Sequence, residues 1–270
     1  MLDFFINFWY NIYIKGGDNV VDITQAIKEH HTKVKMLGYE TVMTVLIGSQ
    51  NYGLDNENSD VDTFTFIFPT MEDIAFAREP VSGEFEVEDG KCMYKDIRLA
   101  LNLLKKTSPN SIECFVGQYR YFEPTYETVL KRYLENEDRL NKMTHCNYSH
   151  MLYAIAGMAH QLTKRNMPAG KRFSHALRLC SMTDVFTNSL EARNLLTLLP
   201  RDYKDAKTAK YDEGRDEYYN NECVKIAEHL DEKRDNFLVS EFKKKIEAEG
   251  MALIEQFQKE LMHYYLYEKE

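Results

Sequence analysis

The sequence predicts an α+β protein in which a small mixed β-sheet with flanking helices is followed by a C-terminal helical bundle. Three observations predict it. Two short runs rich in β-branched and aromatic residues, TVMTVLI and VDTFTFIF, lie in the first third of the chain and suit buried strands. An Asp89-Gly90 pair sits between two alternating segments, which signals a hairpin. From about Tyr126 onward strand signals fade, and long stretches such as HMLYAIAGMAHQLTKR carry helical composition.

The elements follow in order. Asp22 to Leu37 reads as a helix that Asp22 caps and Gly38 closes. Thr41 to Ile47 reads as a strand that ends at Gly48. Val61 to Phe68 reads as a second strand that Pro69 ends. The segment EFEVEDGKCMYKD reads as the hairpin, and Ile97 to Lys106 as an amphipathic helix. In the second half YETVLKRYLE, KRFSHALRLCSMTDVF, LEARNLLTLL and the long stretch Asn220 to Tyr267 all favour helix. We place the division between a first domain, residues 1–135, and a helical domain, residues 136–270.

Composition bounds the function. A chain of 270 residues with 44% hydrophobic and 29% charged residues reads as an ordinary globular protein. Its net charge of −9 argues against a protein that coats duplex nucleic acid, a task that needs a broad basic surface. Five cysteines, widely spaced and without a CxxC pair, suggest reduced thiols in the cytoplasm. The uncharged run FFINFWYNIYI, Phe4 to Ile14, is about half the length of a bilayer span. It lacks a basic leader, so we expect no membrane span and read it as a segment packed on the fold.

The stretch GSQNYGLDNENSDVD, Gly48 to Asp62, concentrates the chemistry. On an extended chain residues i and i+2 share a face, so Asp60 and Asp62 aim two carboxylates at one place. Hard oxygen ligands of this kind suit Mg²⁺. The spacing of Asp55, Glu57 and Ser59 does not make a calcium loop, because the positions for Gly and Glu hold Asp60 and Phe66. Gly48 and Ser49, at the end of the first strand, offer backbone N–H groups and a hydroxyl to phosphate.

An apolar strand, Gly-Ser, a loop with an inner Gly53, and Ser-Asp-x-Asp opening the next strand resemble the signature of the DNA polymerase β-like nucleotidyltransferase superfamily. GSQNYG followed by SDVD is similar to the branch of predicted nucleotidyltransferases that includes RNA-ligase-associated members. The resemblance covers Thr41 to about Phe122 well. It implies a third carboxylate on a later strand of the same sheet, and Asp96 is the choice, directly before the helix IRLALNLLKK. The competing reading is that Asp96 caps that helix. The run Asp96-Ile97-Arg98, Ser108-Pro109-Asn110 and Glu113 is also similar to the branch's pattern. The implied catalytic and metal residues are Asp60, Asp62 and Asp96. They would serve two Mg²⁺ ions, with Mn²⁺ as a substitute, and a nucleoside triphosphate, ATP first among them.

Between Leu140 and Thr183 there is no Asp or Glu, while six lysines and arginines occur. Lys171, His175 and Arg178 fall at i, i+4 and i+7, on one helix face. A similar Lys-x3-His-x2-Arg run recurs in this branch. The expectation is that Lys171, His175 and Arg178, with Gly48 and Ser49, bind the nucleotide. The acceptor is RNA, a protein or a small molecule, and the helical half offers a surface for oligomerisation. Two other readings stand beside the enzyme: a catalytically inactive nucleotide-binding regulator, and a module that binds RNA ends.

Overall fold

The computed structural model describes residues 22–56 and 59–267. The apolar run Phe4 to Ile14 lies outside the described residues. Helix α1, Ile23–Met36, starts where Asp22 accepts the N–H groups of Thr24 and Gln25. Strands β1, Glu40–Leu46, and β2, Thr63–Phe68, pair antiparallel. A five-residue helix α2, Met71–Ala75, follows, closed at its start by a Thr70–Asp73 capping box.

The hairpin forms as β3, Ser82–Val87, and β4, Gly90–Asp96, which turn at residues 88–89. Gly90 permits this tightness, since a Cβ there would stand 2.5 Å from the Val61 carbonyl oxygen. Helices α3, Ile97–Lys105, and α4, Pro109–Val116, lead to a short strand β5, Arg120–Phe122. The sheet order is β3-β4-β2-β1-β5, with β2 and β4 parallel and the other pairs antiparallel. Helix α1 covers one face of this mixed sheet, and the helical half lies on the other.

The helical half comprises α5, Glu127–Leu134; α6, Glu137–Thr144; α7, Tyr148–Lys164; α8, Ala169–Asn188; α9, Pro200–Lys210; α10, Asp216–Asn236; and α11, Glu241–Tyr267. Helices α7, α8 and α10 pack on one another, and α9 packs on α8. Helix α11 runs back past α6 and α3 to the sheet. There Tyr265 stacks on Phe68 of β2 at 4.3 Å between ring centroids. One apolar core runs from Val42 and Phe66 in the sheet to Phe257 and Leu261 in α11. All five cysteines are free thiols. Among the described residues no helix is long and apolar enough to cross a membrane.

Two expected helices differ. LEARNLLTLL forms only a 3-10 turn, Ala192–Leu196. Leu199 precedes Pro200 and is extended, with ψ 144°, as a residue before proline prefers. The stretch Asn220 to Tyr267 is two helices, broken where Phe237 turns extended. Its ring then stacks near Tyr148, at 5.9 Å, so packing there outweighs helix propensity.

Candidate active site

The residues ahead of β2 are bonded on both sides. Val61 N–H donates to Asp89 O, and Ile47 N–H donates to Asp62 O. Val61 is buried against Ala26, Ile27 and Leu46, on the α1 side of the sheet. Asp60 and Asp62 therefore point to the opposite face, where the helical half lies. Asp60 is exposed and Asp62 half-buried. Asp62 Oδ1 accepts the Lys91 N–H at 3.1 Å. Burial raises the Asp62 carboxyl pKa, the Lys91 amide lowers it, and the negative charges of Asp60 and Glu86 raise it further.

Gly48 faces this carboxylate. It holds φ 88° and ψ −155°, a conformation open to glycine and strained for other residues. A Cβ there would stand 3.7 Å from Asp62 Oδ2. The Gly48 N–H donates to Glu113 Oε1 at 2.7 Å, and Glu113 is 6% exposed. That amide is thus bonded to α4. Ser49 opens a 3-10 turn, Ser49–Tyr52. Among the described residues its hydroxyl has no hydrogen-bond partner. Gln50 Nε2 donates to Asp60 O at 3.1 Å, and Asn51 Nδ2 donates to Leu46 O at 2.7 Å. These side-chain bonds tie the loop to both strands that it joins.

The basic helix meets this loop from the other side. Lys171, His175 and Arg178 all lie on α8. The Arg178 guanidinium stands 4.2 Å from the ring centroid of Tyr52, which is buried in the loop. Lys171 is exposed, and His175 and Arg178 are half-buried. Burial pushes the His175 pKa down to about 3, and Arg178, Lys171, Lys210 and Arg165 add to the effect. His175 is therefore a neutral ring amid four cations.

Helix α9 adds a grip that sequence reasoning missed. Tyr203 Oη donates to Gly53 O at 3.0 Å, while Lys210 Nζ and Tyr211 Oη donate to Leu54 O at 2.7 and 2.8 Å. The helical half thus holds the Gly48–Leu54 loop. No motif announces these donors, because they serve backbone carbonyls 150 or more residues away in sequence.

Asp96 is not brought to the pair. In the parallel ladder it lies beside Ile67, five residues beyond Asp62 and roughly 16 Å along the strand. It shares the α1 face with Cys92, which packs against Val34. It is 1% exposed and caps α3 through the Arg98 N–H. The Arg98 side chain closes on it with contacts of 3.1 Å from Nε and 2.6 Å from Nη2. The capping reading fits this placement, and the catalytic one does not. A cavity of about 740 Å³ at the β5 edge, lined by Arg120, Lys131 and Arg193 among others, includes none of the residues chosen from sequence.

Asp60 and Asp62, two hard carboxylates beside Gly48, fit a single divalent cation. The three-carboxylate arrangement does not fit, since among the described residues no three His, Cys, Asp or Glu side chains converge to hold a metal.

Comparisons with known proteins give the chain its relations. It is similar to a nucleotidyltransferase-like protein from Exiguobacterium sibiricum, with a TM-score of 0.29 and 12% identity over 91% of this chain and 79% of that one. That likeness is too slight to carry a functional argument. No curated protein matches the chain. The model of RlaP, the RNA repair pathway DNA polymerase beta family, matches residues 20–264, nearly the whole chain. The chain belongs to the RNA repair pathway DNA polymerase beta family.

Proposed function

We propose that the chain is a divalent-metal-dependent nucleotidyltransferase, which moves a nucleoside monophosphate from a triphosphate, ATP first, to an acceptor hydroxyl with release of pyrophosphate. Family membership supports a transferase. The observation that carries the finer reading is the Asp62 carboxylate against Gly48, close enough to Asp60 to feel its charge. We take residues 1–135 as the catalytic half and 136–270 as the half that closes over it.

Asp60 and Asp62 hold the metal in this reading. A bound divalent cation neutralises charge on the triphosphate and its pyrophosphate leaving group. Ser49 offers a hydroxyl to the phosphates. Lys171 and Arg178 offer further positive charge, Arg178 from a position fixed by the Tyr52 ring. His175, kept neutral by burial, adds a hydrogen-bonding ring and no charge. The acceptor oxygen bonds to the α-phosphorus in line as the bond to pyrophosphate breaks.

The test is substitution of the pair. Asp60→Asn and Asp62→Asn should each lower nucleotide transfer by about 10² or more, on the scale of losing an electrostatic stabiliser. The thermal midpoint should move little, since a carboxylate cluster does not serve stability. A variant with full activity would show that the site lies elsewhere.

The displacement of Asp96 favours a second reading, in which the chain binds nucleotide without turnover as a regulator. Titration calorimetry with ATP and Mg²⁺, run beside a pyrophosphate-release assay, separates the two. Binding with no release in the presence of lysate acceptors supports the regulator.

A further inference from the structure

The cavity of about 740 Å³ at the β5 edge lies apart from the carboxylate pair. Arg120 on β5 stands opposite Val45 of β1. Asp62 lies across the other flank of β1, where its carbonyl takes the Ile47 N–H. Two strand spacings, about 10 Å, therefore separate the two places. Two guanidiniums line this cavity, those of Arg120 and Arg193. Arg120 donates from Nη1 to Phe115 O at 3.3 Å and from Nη2 to Gly117 O, and Arg193 donates from Nη2 to Leu134 O at 3.4 Å. These bonds satisfy carbonyls at the ends of α4 and α5, and most donors of each fork stay open. Both side chains belong to half-buried residues, and among the described residues neither guanidinium is in an ion pair. Burial and the charge of Arg193 push the Arg120 pKa down to about 10, while the Glu135 charge pulls it up. Arg120 is thus still a cation at neutral pH, held near a like charge.

Two half-buried cations without a carboxylate repel each other. An oxyanion bound to both relieves this, and planar forks suit the oxygens of phosphate. The other charges of the lining leave the two arginines to such a ligand. Lys131 is paired with Glu127 at 2.7 Å, and Glu135 acts on Arg120 without an ion-pair contact. The space exceeds what a lone phosphate needs and falls in the range of small-ligand sites. Tyr121 and Phe122 also line it and offer a flat base an apolar wall. Glu127 and Glu135 offer acceptors to hydroxyl groups, and the same two acids would repel the neighbouring phosphates of a strand. We propose that this cavity is a second nucleotide site, which takes a nucleoside monophosphate with its phosphate on Arg120 and Arg193. The site stands apart from the carboxylate pair and does not depend on what that pair does.

The test fills the first site and probes the second. The full chain is saturated with α,β-methylene-ATP, which resists transfer, and Mg²⁺. Labelled AMP is then added, and bound AMP is read by equilibrium dialysis. One AMP per chain is expected, with adenosine competing at least about tenfold more weakly, on the scale of hydrogen bonds to a charged group. Arg193→Gln and Arg120→Gln should each weaken AMP binding about tenfold and leave affinity for the analogue unchanged. No bound AMP, adenosine competing as well as AMP, or a folded Arg193→Gln variant with wild-type AMP affinity would each overturn the site. The dinucleotide ApA competing as well as AMP would overturn the choice of a mononucleotide over a strand. Should Arg120→Gln fail to fold, Arg193→Gln decides, since among the described residues the Arg193 side chain makes one hydrogen bond, at 3.4 Å. An analogue that does not bind would count against the transferase reading alone, and AMP binding weakened by Arg193→Gln would still establish this site.

Discussion

Asp96 shows how one residue type serves two trades. Placed at a strand end before a helix, an aspartate can face a metal or cap the helix. Here it caps α3 and takes the Arg98 fork while almost fully buried. Removing one partner of a buried pair leaves an uncompensated charge, at about 3–5 kcal/mol. The Arg98 side chain keeps 22% exposure, so the loss should fall at or below the lower end of that range. Asp96→Asn is expected to lower stability by about 2–3 kcal/mol, read from the urea midpoint. Nucleotide affinity of the folded variant should stay at the wild-type level. A folded D96N variant that lost metal or nucleotide binding would restore Asp96 to the site. Its sequence context admitted both roles and the resemblance favoured the catalytic one, since strand parity and register choose the face and single-sequence reasoning does not supply register.

At the scale of elements, the grip of α9 on the Gly48–Leu54 loop couples the helical half to the site. Lys210 reaches Leu54 O at 2.7 Å and also contributes to the positive surroundings of His175. Lys210→Ala removes one hydrogen bond, worth about 0.5–1.5 kcal/mol, so global stability should hardly change. The loop should loosen, however. Backbone amides of Gln50 to Leu54 are expected to exchange faster with deuterated solvent, and KM for the triphosphate should rise a few-fold with kcat nearly unchanged. Unchanged exchange in that loop would show that Tyr203 and Tyr211 hold it without Lys210.

Much of this element structure is legible in sequence. The capped α1, the strands flanking GSQNYG, the Asp89-Gly90 hairpin and the amphipathic α3 all carry local signals of periodicity, caps and turn chemistry. The common face expected for Asp60 and Asp62 is a local inference of the same kind, because i and i+2 on an extended chain settle it. Strand β5 and helix α9 were not. Arg120–Phe122 is three residues long and becomes a strand only because β1 presents an edge to it. The roles of Lys91 and Glu113 depend on neighbours across the sheet and on α4, so only the assembled fold reveals them.

For the molecule as a whole, charge is segregated. The chain carries a net charge of −9, yet the α8 face behind the loop and its neighbours in the helical half gather Arg165, Lys171, Arg178 and Lys210 around one histidine. The β3–β4 side of the carboxylate pair carries Glu84 and Glu86 against a single Lys91. The positive region is therefore compact and bounded by negative charge, which suits a triphosphate or the end of a strand better than a long backbone. Counterion release from single strands gives a slope of log affinity against log salt of about −0.7 per phosphate contact. Four cations thus set a limit near −3. Binding of a labelled single-stranded RNA, followed by fluorescence anisotropy between low and moderate salt, is expected to show a slope no steeper than that. The slope should become shallower by about 0.7 in a Lys171→Gln variant. A slope well beyond −3 would mean that a longer basic track exists than this helix face, and that the acceptor is held along its length instead of at its end.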